Sequence, residues 1–346
     1  MPEYSFIVNV GLARCGTTAA AKFMTDHPAF ETPAEKKELK YFFDDPVSVE
    51  DYVARFTGPG PRFFEASPPY ARLGAKFPEC LARIATLREA GHRVVILFCL
   101  RNLVKRAFSL YWHDIGSHHA RYGASWNCRR DGDPKRFATL YTRSFAQEMK
   151  APAMRDKFLP DVGTLIAQAV EVFGQDAVRI AYMKRLDPSL AELMEMVGLP
   201  PAPPVESKRI ASSAAPLYLS GGETGATREV LTSEGAREVT VPAGTCLLIS
   251  RRHAEVLRAD RFDIAAIAAA ADSWSYRVTR DALPGRLVSY AKRQTSVLKA
   301  LPPEMVLAGA KKEMMADLRP MPDTLDIAPI RPPWPLVRSL LEQARR

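Results

Sequence analysis

The sequence predicts an α/β fold in which a parallel sheet is flanked by helices on both faces and is followed by a C-terminal elaboration. Strand-like and helix-like apolar patterns alternate over the first 200 residues, the arrangement typical of parallel α/β proteins. The strongest strand pattern, RVVILFCL over 93–100, is apolar on both faces, as a central parallel strand should be. A glycine-containing turn joins the first predicted strand to the first predicted helix.

The individual elements follow from the spacing of apolar residues and from the residues that end each run. Strands are predicted over 4–10, 62–66, 93–100 and 177–183. Helices are predicted over 17–26, 77–89 and 103–113, in pieces of 134–174, and over 188–197. Beyond residue 200 the alternation ends, and a hairpin is predicted between 238–241 and 245–249.

The composition is that of a globular protein, and its positive charge suits an anionic ligand or a polyanionic acceptor, although many basic proteins have neither. The 346 residues are 47% hydrophobic and 25% charged, with a formal net charge of +9. No block of Lys and Arg is interleaved with aromatics, which argues against nucleic acid. The five cysteines are scattered without metal-ligand spacing, so we expect no metal and no disulfide framework. With no signal peptide and no membrane span visible, a cytoplasmic location is expected.

The first turn is a phosphate-loop pattern with one change. Its sequence is GLARCGTT over Gly11–Thr18, and Thr17 stands where a nucleotide-binding P-loop carries its lysine. Loop amides, the helix N-terminus and hydroxyls could bind phosphate, while Arg14 adds positive charge. The loss of the lysine favours a shorter anionic tail than a triphosphate. The alternative is an ordinary glycine-containing turn. The candidate ligands are Arg14, Cys15, Gly16, Thr17 and Thr18.

Three further segments could carry chemistry. In KELKYF over 37–42, Glu38 could be a general base beside cations, or the segment could be a solvated charge run. The segment EASPPY over 65–70 places a serine at the end of a strand and is a weak signal by itself. In LRNLVKRAFSLY over 100–111, Arg101 follows the central strand and Ser109 lies two turns into the next helix. Both could bind a second anion, or Arg101 could pair with a nearby acid.

Together and in this order, the four segments resemble those of sulfotransferases that use 3′-phosphoadenosine 5′-phosphosulfate (PAPS), in particular the heparan sulfate sulfotransferases and their bacterial relatives. A weaker likeness extends over 178–188, so the resemblance covers about residues 4 to 200. It implies that Gly11–Thr18 binds the 5′-phosphosulfate, that Arg101 and Ser109 bind the 3′-phosphate, and that Glu38 is the base. PAPS would be the donor and 3′-phosphoadenosine 5′-phosphate (PAP) the product.

The mechanism that this resemblance implies is direct in-line sulfuryl transfer. Glu38 would deprotonate the acceptor hydroxyl, with His113 as an alternative base. Loop amides, Arg14 and the threonines would stabilise charge on the leaving phosphate. Lys37 could stabilise the sulfonate oxygens, tune Glu38 or face solvent. A second 3′-phosphate loop is not obvious, and Arg209 in SKR over 207–209 is the best candidate.

The expected organisation is a PAPS-binding core over 1–212 and an extension over 213–346 that completes the acceptor cleft. The acceptor could be a small molecule, a glycan, a lipid or a natural product with a hydroxyl or amine, or a peptide tyrosine. The oligomeric state is not predicted. One alternative is a P-loop kinase that uses ATP-Mg²⁺ and has reassigned its lysine to Lys22 or Lys37. The other is a non-catalytic protein that binds PAPS or PAP.

Overall fold

The computed structural model describes residues 3–35, 38–43, 48–110, 158–200, 217–220, 224–232, 235–243, 245–249, 256–261, 276–279, 283–318 and 324–327. The chain forms two compact units that interleave along the sequence. The first comprises Met1–Arg106, Pro152–Arg209 and Gly285–Met321. The second comprises Ala107–Ala151, Ile210–Pro284 and Pro322–Arg346.

A four-stranded parallel sheet forms the centre of the first unit, which confirms the predicted α/β class. Its strands are β1 (Ser5–Gly11), β2 (Arg62–Ala66), β3 (Arg93–Leu100) and β4 (Val178–Tyr182). They lie side by side in the order β2-β1-β3-β4, and every neighbouring pair is parallel. From Val94 to Leu100 the third strand is buried at every residue, because neighbouring strands and covering helices remove both of its faces from water.

Helices cover both faces of this sheet. The chain moves one way across the sheet from β1 to β2 and the other way from β2 to β3 and from β3 to β4. Right-handed crossovers therefore place α1 (Thr17–Thr25) on one face. They place α3 (Phe77–Glu89) and α4 (Val162–Phe173) on the other. Consistent with this, α3 packs against α4, and α1 packs against α5 (Leu186–Met196). The first unit also contains the short helix α2 (Val49–Val53). Residues 103–110 are helical as well.

Two C-terminal helices, α6 (Gly285–Ala300) and α7 (Lys311–Leu318), belong to this first unit. At Gly163, α4 lies so close to α6 that a Cβ atom there would be 2.3 Å from Cγ1 of Val297. The buried Gln294 accepts a hydrogen bond from the Gly163 amide at 3.1 Å. The sequence predicted a boundary after residue 212, and residues 285–318 belong to the unit that contains the parallel sheet. The predicted role of 213–346 in the acceptor cleft stays a prediction.

The second unit contains antiparallel pairings. Strand β6 (Ala226–Thr232) forms a hairpin with β7 (Gly235–Val241), and β8 (Thr245–Ile249) lies between β5 (Leu217–Ser220) and β9 (Val256–Arg261). The sequence predicted strands at 238–241 and 245–249, and both exist, but the predicted pairing between them is wrong because each pairs with another strand. A further pair joins β10 (Tyr276–Thr279) to β11 (Thr324–Ile327).

No helix in the described ranges combines the length and the apolar character needed to cross a bilayer.

Candidate functional site

The turn after β1 follows a path that requires glycine at its start. Gly11 has a φ of 136°, and a Cβ atom there would lie 3.1 Å from the Ala71 Cβ and 3.2 Å from the Pro68 carbonyl oxygen. The next amide, that of Leu12, donates to the Cys99 carbonyl at 3.0 Å. The loop thus leaves the carboxyl edge of the sheet while tied to the central strand, which is the edge where ligands bind in open parallel sheets.

Gly16 begins the first helix in a conformation that favours glycine. Its φ of 93° and ψ of 7° lie in the left-handed region, and no side chain caps the helix N-terminus. The first-turn amides have no carbonyl partner within the helix, so this end of α1 carries the partial positive charge that attracts phosphate. Thr17 is buried and Thr18 is exposed, and both belong to this turn.

Cys15 faces the protein interior. Its side chain is fully buried, and its amide donates to the Leu12 carbonyl at 3.2 Å. Burial raises the pKa of the Cys15 thiol, and the nearby charges of Arg106, Arg101 and Arg14 oppose part of that rise. Arg14 within the loop and Arg101 and Arg106 outside it therefore lie near this thiol, which gives a positive setting to a segment that lacks the P-loop lysine.

Two of these arginines contact the loop main chain. A guanidinium nitrogen of Arg101, half-buried directly after β3, donates to the Arg14 carbonyl at 3.3 Å. Arg106 is 1% exposed, and its Nε donates to the Ala13 carbonyl at 3.1 Å. The predicted second-anion residue Arg101 thus lies directly against the predicted first-anion loop.

Glu38 lies on a short segment that precedes a buried aromatic turn. Its Oε2 is 3.9 Å from Nζ of Lys40, and the two side chains are 35% and 47% exposed. An ion pair this long and this exposed contributes little to stability. Glu38 is therefore accessible enough to meet a substrate, with a cation nearby.

Sequence reasoning missed a buried network around Glu65. This carboxylate is fully buried, and it accepts hydrogen bonds from the hydroxyls of Tyr52 at 2.7 Å, Tyr70 at 2.9 Å and Ser67. The Lys40 amide donates to Glu65 at 3.3 Å and to the Ser67 hydroxyl at 3.1 Å. Burial raises the pKa of Glu65, and the hydrogen bonds from Ser67, Tyr52 and Tyr70 oppose part of that rise. The signal was present in EASPPY over 65–70, but its acid was not assigned a role.

A second network, also missed, links α7 to the carboxyl ends of β3 and β4. The Asp317 carboxylate accepts from the Tyr182 hydroxyl and lies 2.5 Å from Nζ of Lys184. The Asn102 side chain donates to the Asp317 carbonyl at 2.8 Å and accepts from the Lys105 amide at 3.1 Å. Burial would raise the pKa of Asp317, but the Lys184 and Tyr182 hydrogen bonds and the charges of Lys184 and Lys105 hold it below its ordinary value. Nothing in the local sequence around Asp317 indicates these partners.

The other predicted site residues divide into two groups. Ser109 is half-buried on helical residues 103–110 and belongs to the second unit, so its pairing with Arg101 stays a prediction. Lys37, His113 and Arg209 lie outside the described residues.

The chain is similar to a solved structure of a sulfotransferase from Alicyclobacillus acidocaldarius, at 20% sequence identity. The match covers 60% of this chain and 86% of that chain, with a TM-score of 0.42. No family model and no curated protein matches the chain. The fold class therefore rests on the parallel sheet itself.

Proposed function

We propose that this protein is a sulfotransferase that moves a sulfuryl group from PAPS to a hydroxyl or amine of a small-molecule, glycan or lipid acceptor. The observation that carries the proposal is the 3.3 Å contact between the Arg101 guanidinium and the Arg14 carbonyl. It joins a cation at the end of β3 to a phosphate-loop-like turn that lacks the P-loop lysine. A nucleotide with anionic groups at its 5′ and 3′ positions needs two such sites close together.

The hydrogen-bond donors at the carboxyl edge of the parallel sheet suit a nucleotide with anionic groups at its 5′ and 3′ positions. The start of α1, with the left-handed Gly16, suits one tetrahedral anion, and Arg14 adds a charge that persists at every physiological pH. Arg101 offers a planar set of N–H donors that suits a second anion, with Ser109 as the further proposed ligand. When bound, PAPS supplies an activated sulfuryl group on its 5′-phosphate.

The acid–base step is assigned to Glu38. Its half-exposed carboxylate is open to an acceptor and can accept a proton from an acceptor hydroxyl or amine, with Nζ of Lys40 3.9 Å away. Arg14 supports departure of the phosphate through its charge and not through proton donation, since arginine stays protonated. Lys37 is retained as a proposed ligand of the sulfonate oxygens.

The test uses the full chain with PAPS and a panel of hydroxyl- and amine-bearing acceptors, and it follows acceptor-dependent formation of PAP. Glu38→Gln should lower this rate by about 10²–10⁴-fold, because the amide cannot take the proton, while PAP affinity stays the same. Lys22→Met, which removes an exposed lysine paired with Asp26 on α1, is the charge-loss control and should leave the rate unchanged.

Three outcomes would change the proposal. An unaltered rate in Glu38→Gln removes Glu38 from the chemistry. PAP binding without turnover of any acceptor favours a non-catalytic nucleotide-binding protein. Phosphoryl transfer from ATP-Mg²⁺ in the same assay favours the kinase.

A further inference from the structure

The Glu65 carboxylate joins three separate segments of the first unit. Tyr52 comes from α2, Ser67 and Tyr70 come from the turn after β2, and Lys40 comes from the segment that carries Glu38. The four donors that the described residues supply are three hydroxyls and one main-chain amide. Removing a carboxylate from water is costly, so this group must be held by its hydrogen bonds.

The network around Glu65 fixes the path of the main chain at Lys40. Its amide donates both to Glu65 Oε1 at 3.3 Å and to Ser67 Oγ at 3.1 Å, so one peptide is held by two buried acceptors. Lys40 has a φ of 57°, a left-handed conformation that is unfavourable for a residue with a side chain. The two hydrogen bonds help to offset this cost and fix the chain direction at that residue.

The segment after Lys40 is anchored as well. The Phe42 amide donates to the Tyr70 hydroxyl at 3.3 Å, and Arg83 donates to the Phe43 carbonyl at 3.0 Å. Phe42 is fully buried among the aromatic side chains of the core. The Lys40 amide contacts Ser67, the residue that follows β2, and Glu38, only two residues before it, stays half-exposed.

We propose that Glu65 is a positioning residue for Glu38. Together with Ser67 it holds the Lys40 peptide, and because Glu38 is only two residues earlier in the chain, this anchor keeps the Glu38 carboxylate at a fixed place. This inference rests on the proposed function, because it requires Glu38 to act as the base. Misplacement of a catalytic group by about 1 Å can cost on the order of 10²-fold in rate, so loss of the anchor should be visible in turnover.

The variants that test this are Ser67→Ala and Glu65→Gln. Ser67→Ala deletes one of the two acceptors of the Lys40 amide, and Glu65→Gln removes the charge of the other. The matched control is Ser189→Ala, because Ser189 is equally buried and its hydroxyl donates to the carbonyl of Arg185, the residue just before α5, at 2.6 Å. We expect both test variants to lower kcat by about 10–100-fold with PAP affinity within about twofold of wild type, and the control to keep wild-type kcat.

A double-mutant cycle separates positioning from a general structural role. If Glu65 acts through Glu38, the variant with both Glu38→Gln and Glu65→Gln should be no slower than Glu38→Gln alone. The inference would be overturned if the double variant lost rate by the product of the two single losses. A loss of kcat in Ser189→Ala as large as that in Ser67→Ala would also overturn it. A wild-type rate in Glu38→Gln would instead overturn the assigned base, so the two failures are distinguishable. Should Glu65→Gln fail to fold, the cycle is run with Ser67→Ala.

Discussion

Replacing Gly16 by alanine tests whether the start of α1 is the phosphate site. At a φ of 93°, alanine costs about 1–2 kcal/mol that glycine does not. The new Cβ would lie 3.3 Å from Cδ2 of Leu186 and 3.5 Å from Cγ of Met183, so it fits if the flexible leucine moves slightly. We therefore expect Gly16→Ala to fold, with unfolding free energy reduced by about 1–2 kcal/mol, chiefly through backbone strain.

The binding consequence should be larger than the stability consequence. Relief of the strain would turn the first-turn amides away from their phosphate-binding direction, and hydrogen bonds to a charged group contribute about 1.5–3 kcal/mol each. We expect PAP affinity, measured by isothermal titration calorimetry, to fall by about 10–100-fold. Gly198→Ala is the control, because Gly198 has a φ of 75° with nothing within 4 Å of its Cβ position. If both variants bind PAP like wild type, the loop is not the anion site.

Three further predictions concern the second anion site, the buried acid and the helix crossing. Arg101→Ala should weaken PAP binding about 10–100-fold and AMP binding far less in calorimetry; equal losses would contradict the 3′-phosphate assignment. Folding raises the pKa of Glu65 above its ordinary 4.5, so the unfolding free energy of wild type should fall relative to that of Glu65→Gln as pH rises from 4.5 through the folded pKa. A difference in unfolding free energy, measured by urea unfolding, that does not change with pH would refute this. Gly163→Ala should lower the unfolding free energy by about 1–3 kcal/mol, and adding Val297→Ala should restore part of that loss. Additive losses of the two variants in thermal unfolding would refute the close contact between α4 and α6.

The sheet and its neighbours were predictable because their signals are local. The strand over 93–100 and the helix over 77–89 have the predicted bounds, since an uninterrupted apolar run and an amphipathic period are read within one segment. The lysine-free loop at Gly11–Thr18 likewise lies between the predicted strand and helix. The rule that ligands meet at the carboxyl ends of parallel strands predicted an anion site for Arg101 at the end of the central strand. Its hydrogen bond to the Arg14 carbonyl was not predicted.

The missed features depend on distant partners. Asp317 bonds Tyr182 and Lys184, which are more than 130 residues away in the sequence, so no local pattern could reveal the network. Glu65 lies in a recognised segment, but its role depends on hydroxyls and an amide that only the folded chain brings together. The strand pairing around Thr245–Ile249 failed for the same reason, because proximity along the chain does not choose a partner when several short strands compete.

Thermal unfolding of the full chain with PAP, AMP, ADP, and ATP plus Mg²⁺ tests the central claim most directly. A ligand at about 100 times its dissociation constant adds about 2.7 kcal/mol to the unfolding free energy, which shifts the midpoint measurably. Two neighbouring anion sites predict a larger shift with PAP than with AMP or ADP at equal concentration. A shift with ATP and Mg²⁺ but none with PAP would contradict the proposed sulfotransferase.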